Sequence, residues 1–248
     1  MKDLLDKVFA SFCDNLHRRK ELMTEDNVRY YWFASMLEQD KSVAHYTMEY
    51  PYNSSIFKNS QRTTKKELDF LYLNGDESYC MEIKFHRNPD PDSTYAHTDA
   101  AGSLFNDLLR LSLFEPGVAF EKQKTVCELP ASTRRLFLYV TDGEMSDYLG
   151  RDNNSGANSE YRKALNEFYM MPVGPAYRKL NFNEVPDTFR KSALDAFGEK
   201  QHNLASFPNI RLLYKDTYSK MESISFKDGQ CHVRLYEIEP NPSHNKKL

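Results

Sequence analysis

The sequence lacks any apolar run approaching the ~20 residues that a membrane-crossing helix needs. Its first residues, Met1-Lys2-Asp3-Leu4-Leu5-Asp6-Lys7, carry acids and hold no continuous apolar stretch, which argues against a signal peptide. A soluble, cytoplasmic protein is the expectation. Cysteine is scarce. Cys13, Cys80, Cys127 and Cys231 lie far apart without a C-x-x-C pair, which excludes a zinc ribbon and a redox motif and predicts buried, reduced thiols. A strong excess of either charge is also missing, the formal net charge being −3. A module that holds nucleic acid by electrostatics alone would be strongly basic. A metal-dependent enzyme is not excluded in this way, because a metal site needs carboxylates. The first hundred residues hold 13 Lys and Arg against 17 Asp and Glu, so the acids are in excess there. Neither an internal repeat nor a domain linker stands out, and the 248 residues read as one domain, 1–248.

Aromatic residues are plentiful, with 16 Tyr and 16 Phe, and most of them must pack in a core. Leu5, Val8, Phe9, Phe12 and Leu16 recur at helical spacing and predict a helix over 3–22. A second helix is predicted from an N-cap at Thr24 to about Glu38, with Glu25 and Asp26 in its first turn. Strands are predicted at 43–50, stopped by Pro51, then at 67–73 and 79–86, the last two joined by the turn signal Asn74-Gly75-Asp76. The polar stretch 53–65 reads as a loop. A helix over 97–114 follows. Leu136–Thr141 is a nearly continuous apolar run, as in a strand covered on both faces. Residues 151–156 read as a loop, helices are expected at 158–170 and 186–198, and strands at 210–214 and 232–238, before a frayed tail at 240–248.

Residues i and i+2 of a strand face the same way. In the third strand, Tyr79, Met81, Ile83 and Phe85 form an apolar face, and Cys80, Glu82, Lys84 and His86 form the other. In the second, Leu68, Phe70 and Tyr72 point one way while Glu67 and Asp69 point the other. A hairpin brings Asp69 beside Glu82. Two such carboxylates repel unless a cation lies between them. Mg²⁺ prefers oxygen ligands and keeps several waters, which leaves room for a phosphate oxygen and a nucleophile. Lys84, two residues from Glu82, is placed to orient that nucleophile and offset developing negative charge. Glu82-Ile83-Lys84 is the only acid-x-Lys triplet in the sequence. The bland alternative is the solvated outer face of a hairpin carrying a Glu/Lys pair.

Helix, strand, strand with Asp69, strand with Glu82-Ile83-Lys84, helix, strand resembles the common core of the PD-(D/E)XK nuclease superfamily. The resemblance covers residues 24–141, and Leu68 stands where the motif's variable proline is often found. It implies an α/β fold of the restriction-endonuclease-like kind, with a mixed central sheet flanked by helices. An αβββαβ core would be followed by a C-terminal α/β extension. It further implies a Mg²⁺- or Mn²⁺-dependent endonuclease acting on nucleic acid, most naturally DNA. Asp69, Glu82 and Ile83 would serve at the metal and Lys84 in catalysis. Many members add an acid from the preceding helix. Glu25 fits that role, and Glu49 is its rival as a metal ligand. Lys65, Lys66, His86 and Arg87 are candidate nucleic-acid contacts, with solvated faces as the alternative. Restriction, phage defence or repair are the settings suggested by analogy, and a homodimer is compatible with them. Two rivals come from other classes: a catalytically silent nuclease-fold module that binds nucleic acid or protein, and an interaction protein whose hairpin charges face solvent.

Overall fold

A computed structural model describes residues 4–18, 24–51, 67–75, 77–88, 96–114, 129–130, 132–151, 159–194, 207–219 and 229–240. The predicted loops at 53–65 and 151–156 fall largely outside these residues, as do the tail from 241, Cys127 and both Lys65 and Lys66.

Two helices open the chain, α1 (Leu4–Arg18) and α2 (Glu25–Gln39). Thr24 caps α2: its hydroxyl accepts from the Asn27 N–H, and the Asn27 side chain accepts from the Thr24 N–H in return. Strand β1 is Tyr46–Pro51. The expected start at Val43 is corrected, because Val43–His45 forms a single 3₁₀ turn before the chain extends. Pro51 closes β1 as its last residue on the sheet's edge, where a missing N–H is tolerated. Strands β2 (Glu67–Asn74) and β3 (Glu77–His86) form the predicted hairpin, turned at Gly75 with φ 59°. Helix α3 is His97–Ser112, and β4 is Arg134–Asp142.

A short helix α4 (Gly143–Gly150) was not foreseen. It follows β4 directly, capped by Asp142, whose side chain accepts from the Met145 N–H. The remaining elements are α5 (Ser159–Tyr169), the two-residue strand β5 (Arg178–Lys179), α6 (Asp187–Leu194), β6 (Asn209–Ser219) and β7 (Gln230–Ile238).

The strands build one seven-stranded mixed sheet in the order β1-β2-β3-β4-β7-β6-β5. Only the β3–β4 pair among these neighbours is parallel, and α3 supplies the crossover that a parallel pair requires. Helices cover both faces. On one side α1 and α2 pack Phe12, Val28 and Trp32 against Phe70, Met81, Ile83 and Leu138. On the other, α3 to α6 pack Leu104, Phe105, Leu149 and Phe168 against Leu71, Cys80, Phe137 and Tyr236. The alternation read from β3 therefore holds, with Ile83 on the α1/α2 face and Cys80 on the α3 face. Gly102 lets α3 and α6 touch: a Cβ there would stand 2.6 Å from Ser192 Cβ and 2.8 Å from the Phe189 carbonyl. Cys13, Cys80 and Cys231 are buried thiols. No helix among the described residues is long and apolar enough to cross a membrane.

Candidate active site

Strands β2 and β3 pair from the turn only as far as Phe70↔Met81. The next opposed pair in that register would be Asp69 and Glu82. There the ladder stops, although β2 stays paired with β1 to Pro51↔Glu67 and β3 stays paired with β4 to His86↔Thr141. The two strands splay, and the N–H groups on that edge of β3 need acceptors. Carboxylates supply them. The Ile83 N–H donates to Asp69 Oδ2 at 2.7 Å, and the Phe85 N–H donates to Glu25 Oε2 at 3.2 Å. Because N–H and C=O of one strand residue point to the same edge, the Ile83 carbonyl shares this gap.

The gap opens into a cavity of about 300 Å³ whose wall holds Asp69, Glu82, Ile83 and Lys84 together with Glu25 and Glu49. Thus every residue expected at the metal or in catalysis lines one cavity. Glu67, Asp107, Arg29 and Arg110 complete the lining. Glu67 lines the same cavity as Asp69. Asp107, Arg110 and Arg29 were not foreseen as site residues. A signal was present in the sequence: Asp107 and Arg110 are charged residues at i and i+3 among Leu104, Phe105, Leu108, Leu109 and Leu111, and Arg29 lies one turn after Glu25.

Ion pairs run through the site with alternating sign. Asp69 Oδ1 meets Arg29 Nη2 at 2.8 Å, and the same nitrogen meets Glu25 Oε1 at 2.9 Å. Glu25 Oε2 lies 3.7 Å from Lys84 Nζ, which lies 3.2 Å from Asp107 Oδ2. Asp107 Oδ1 meets Arg110 Nη2 at 3.1 Å, and Arg110 holds Glu82 through Nη2 at 2.8 Å and Nε at 3.0 Å. The run begins and ends on an acid, and those two ends, Asp69 and Glu82, face each other across the splay. Burial first, and the neighbouring Glu82 charge second, push the Asp69 carboxyl up to about 9 in spite of Arg29. Burial depresses the Lys84 ammonium, but Asp107 and Glu25 outweigh it and hold its pKa above the ordinary value. Lys84 is therefore charged at neutral pH.

Asp69 and Glu82, with the Ile83 carbonyl, fit a small hard cation. Mg²⁺ is typically held by one or two carboxylates and several waters. Among the described residues no group of three or more His, Cys, Asp or Glu side chains is gathered to hold a metal ion. Of the rivals for a further ligand, Glu25 belongs to the ion-pair run, whereas Glu49 is an exposed residue at the rim. Glu49 has φ 55°, a left-handed conformation that is strained for a non-glycine residue.

No protein-family model, curated protein or solved structure matches this chain.

One expected nucleic-acid contact needs correction. His86 is buried on the α3 side of the sheet, its Nδ1 3.1 Å from the Tyr139 hydroxyl, and it is not part of the cavity wall. Burial first, and Lys84 second, push its pKa down to about 3, so it is neutral. The strand's alternation put His86 on the right face, but α3 and β4 cover that face. Arg87 is half-buried and also off the cavity wall.

Proposed function

We propose that this protein is a divalent-metal-dependent nuclease with a restriction-endonuclease-like core, cutting phosphodiester bonds in DNA. The observation that carries this reading is the meeting of Asp69 and Glu82 at a splay between two strands, with Lys84 on the same wall. The order α2, β1, β2, β3, α3, β4, with β3 parallel to β4, supports the likeness to PD-(D/E)XK nucleases.

A solvated hairpin face is disfavoured by burial. Asp69 is 7% exposed and Glu82 1%, and acids are almost never buried without a reason in pairing or chemistry. Asp69 and Glu82 would hold the metal with the Ile83 carbonyl. A divalent ion there supplies a Lewis acid and a bound water of lowered pKa. Lys84 directs a fixed positive charge into the cavity, where it can orient the attacking water and stabilise charge developing on the phosphate. Asp107 keeps that ammonium charged and aimed. The cavity wall carries six acids against three bases. Without a metal it repels phosphate, which ties substrate binding to the ion.

The test is incubation of the purified protein with plasmid, linear duplex, single-stranded DNA and RNA, each in Mg²⁺, Mn²⁺ or EDTA. Cleavage of DNA is expected in either ion and none in EDTA. Metal-dependent binding of DNA without cleavage would favour the silent-module alternative. Cleavage that survives both Lys84→Ala and Asp69→Asn would remove the basis of the assignment.

A further inference from the structure

We propose that Arg110 is a phosphate-binding residue stored on Glu82 until a divalent cation takes that carboxylate, so that the site accepts a phosphodiester only after it has accepted a metal. This inference rests on the nuclease reading above.

Arg110 grips Glu82 with two nitrogens, Nε at 3.0 Å and Nη2 at 2.8 Å. The planar guanidinium fork matches a carboxylate and a phosphate equally well. Glu82 is 1% exposed, and a carboxylate so deeply buried needs a positive partner. Arg110 supplies it in the metal-free protein. A divalent cation shared between Asp69 and Glu82 removes that need and releases the Arg110 fork from Glu82.

Its other anchor keeps it in place. Asp107, one turn earlier on α3, lies 3.1 Å from Arg110 Nη2 and 3.2 Å from Lys84 Nζ. Released from Glu82, the guanidinium stays beside Lys84 on the cavity wall and can pair with an anion. Arg29 is not equivalent. It contacts Glu25 and Asp26 on its own helix and meets Asp69 through a single nitrogen, Nη2, not through a two-nitrogen grip. Arg110 loses both of its bonds to Glu82 in the same event, which makes it the residue that couples metal to phosphate.

The experiment compares the full-length wild type with Arg110→Gln. Mn²⁺ alone is titrated calorimetrically, and a fluorescent DNA duplex is titrated in Ca²⁺ by anisotropy. Removal of the competing guanidinium should tighten Mn²⁺ binding on the order of tenfold, and duplex binding should weaken by a similar factor. Unchanged or weaker Mn²⁺ binding by Arg110→Gln overturns the storage role, and unchanged duplex affinity overturns the phosphate role. If Arg110→Gln does not fold, the wild type still decides the question through its arginine Nε–H signals in ¹⁵N-resolved NMR. The Arg110 signal should move and exchange faster with water on adding Mg²⁺. A signal that stays in place while Mg²⁺ binds overturns the inference alone. A wild type that binds neither Mn²⁺ nor Mg²⁺ overturns the nuclease reading beneath it.

Discussion

The Ile83 backbone N–H donates a 2.7 Å hydrogen bond to Asp69 Oδ2, so a side chain occupies the place where the neighbouring strand would offer a carbonyl. That bond links the splay to the site. It fixes Asp69 against β3 at the point where Glu82 faces it, and it satisfies a buried donor that the interrupted ladder would otherwise strand. Sheet geometry and candidate chemistry are therefore set by the same residue.

Lys84 should be the most sensitive catalytic position. Lys84→Ala is expected to lower the cleavage rate on the order of 10²-fold or more, because it removes a charge directed at the transition state. Lys84→Arg should restore little, since a planar guanidinium cannot reproduce a compact ammonium 3.2 Å from Asp107. Single-turnover cleavage rates in Mg²⁺ check this, and full activity in Lys84→Arg would show that charge alone suffices.

Asp69→Asn should abolish activity yet stabilise the metal-free fold. The Asp69 carboxyl is raised from 3.8 to about 9, by burial and then by Glu82, so the folded state favours its protonated form. The stability this provides is complete below pH 3.8 and is lost as pH rises toward about 9. In EDTA at pH 8 the variant should gain at least about 2 °C in Tm over the wild type, and the gain should vanish near pH 4. Mg²⁺ should raise the wild-type Tm and leave Asp69→Asn unmoved. A variant that melts lower than the wild type at pH 8 would contradict this account.

Glu25 and Glu49 can be separated by stability and metal affinity together. Glu49→Gly relieves a left-handed backbone at φ 55° and should cost no stability, gaining up to about 1 kcal/mol. It should leave Mn²⁺ affinity unchanged. Glu25→Gln breaks the ion-pair run between Arg29 and Lys84 and should weaken Mn²⁺ binding. The reverse pattern in calorimetry would transfer the ligand role to Glu49.

Away from the site, Glu237 on β7 should act as an acid-sensitive brace. It accepts two bonds from Arg134, at 3.0 and 3.1 Å, and two from Arg211, at 2.9 and 2.6 Å. Burial raises its carboxyl pKa, but the two guanidinium groups outweigh burial and hold it below its ordinary 4.5. Its contribution is present above pH 4.5 and is lost as pH falls through the lower folded value. Glu237→Gln should cost about 1–3 kcal/mol at pH 7 in denaturant unfolding, with a smaller difference in acid. Equal losses at pH 7 and pH 3 would show that packing, not charge, is responsible.

Local periodicity in the sequence was enough to place most helices and strands and to assign the faces of β3, but in β2 Leu68 packs with Leu71 and Tyr50 on the α3 face, not with Phe70 and Tyr72 as the alternation predicted. A strand's alternation is a property of the backbone, so Glu82 and Lys84 could be put on one face from their spacing, and the hairpin turn brought Asp69 to them. Thr24 likewise marked where α2 begins and left Glu25 in its first turn. Tertiary packing decided the rest, because contacts between distant segments leave no periodic trace. The docking of α3 over β3 brought Asp107 and Arg110 to Lys84 and Glu82, and the docking of α2 brought Arg29 to Asp69. The same packing, with β4 alongside, buried His86 against Tyr139, although its place in the alternation was read correctly. The splay itself depends on where β2 leaves β3 to remain with β1. That break in the ladder is settled by three strands at once, and it is what opens the gap between Asp69 and Glu82.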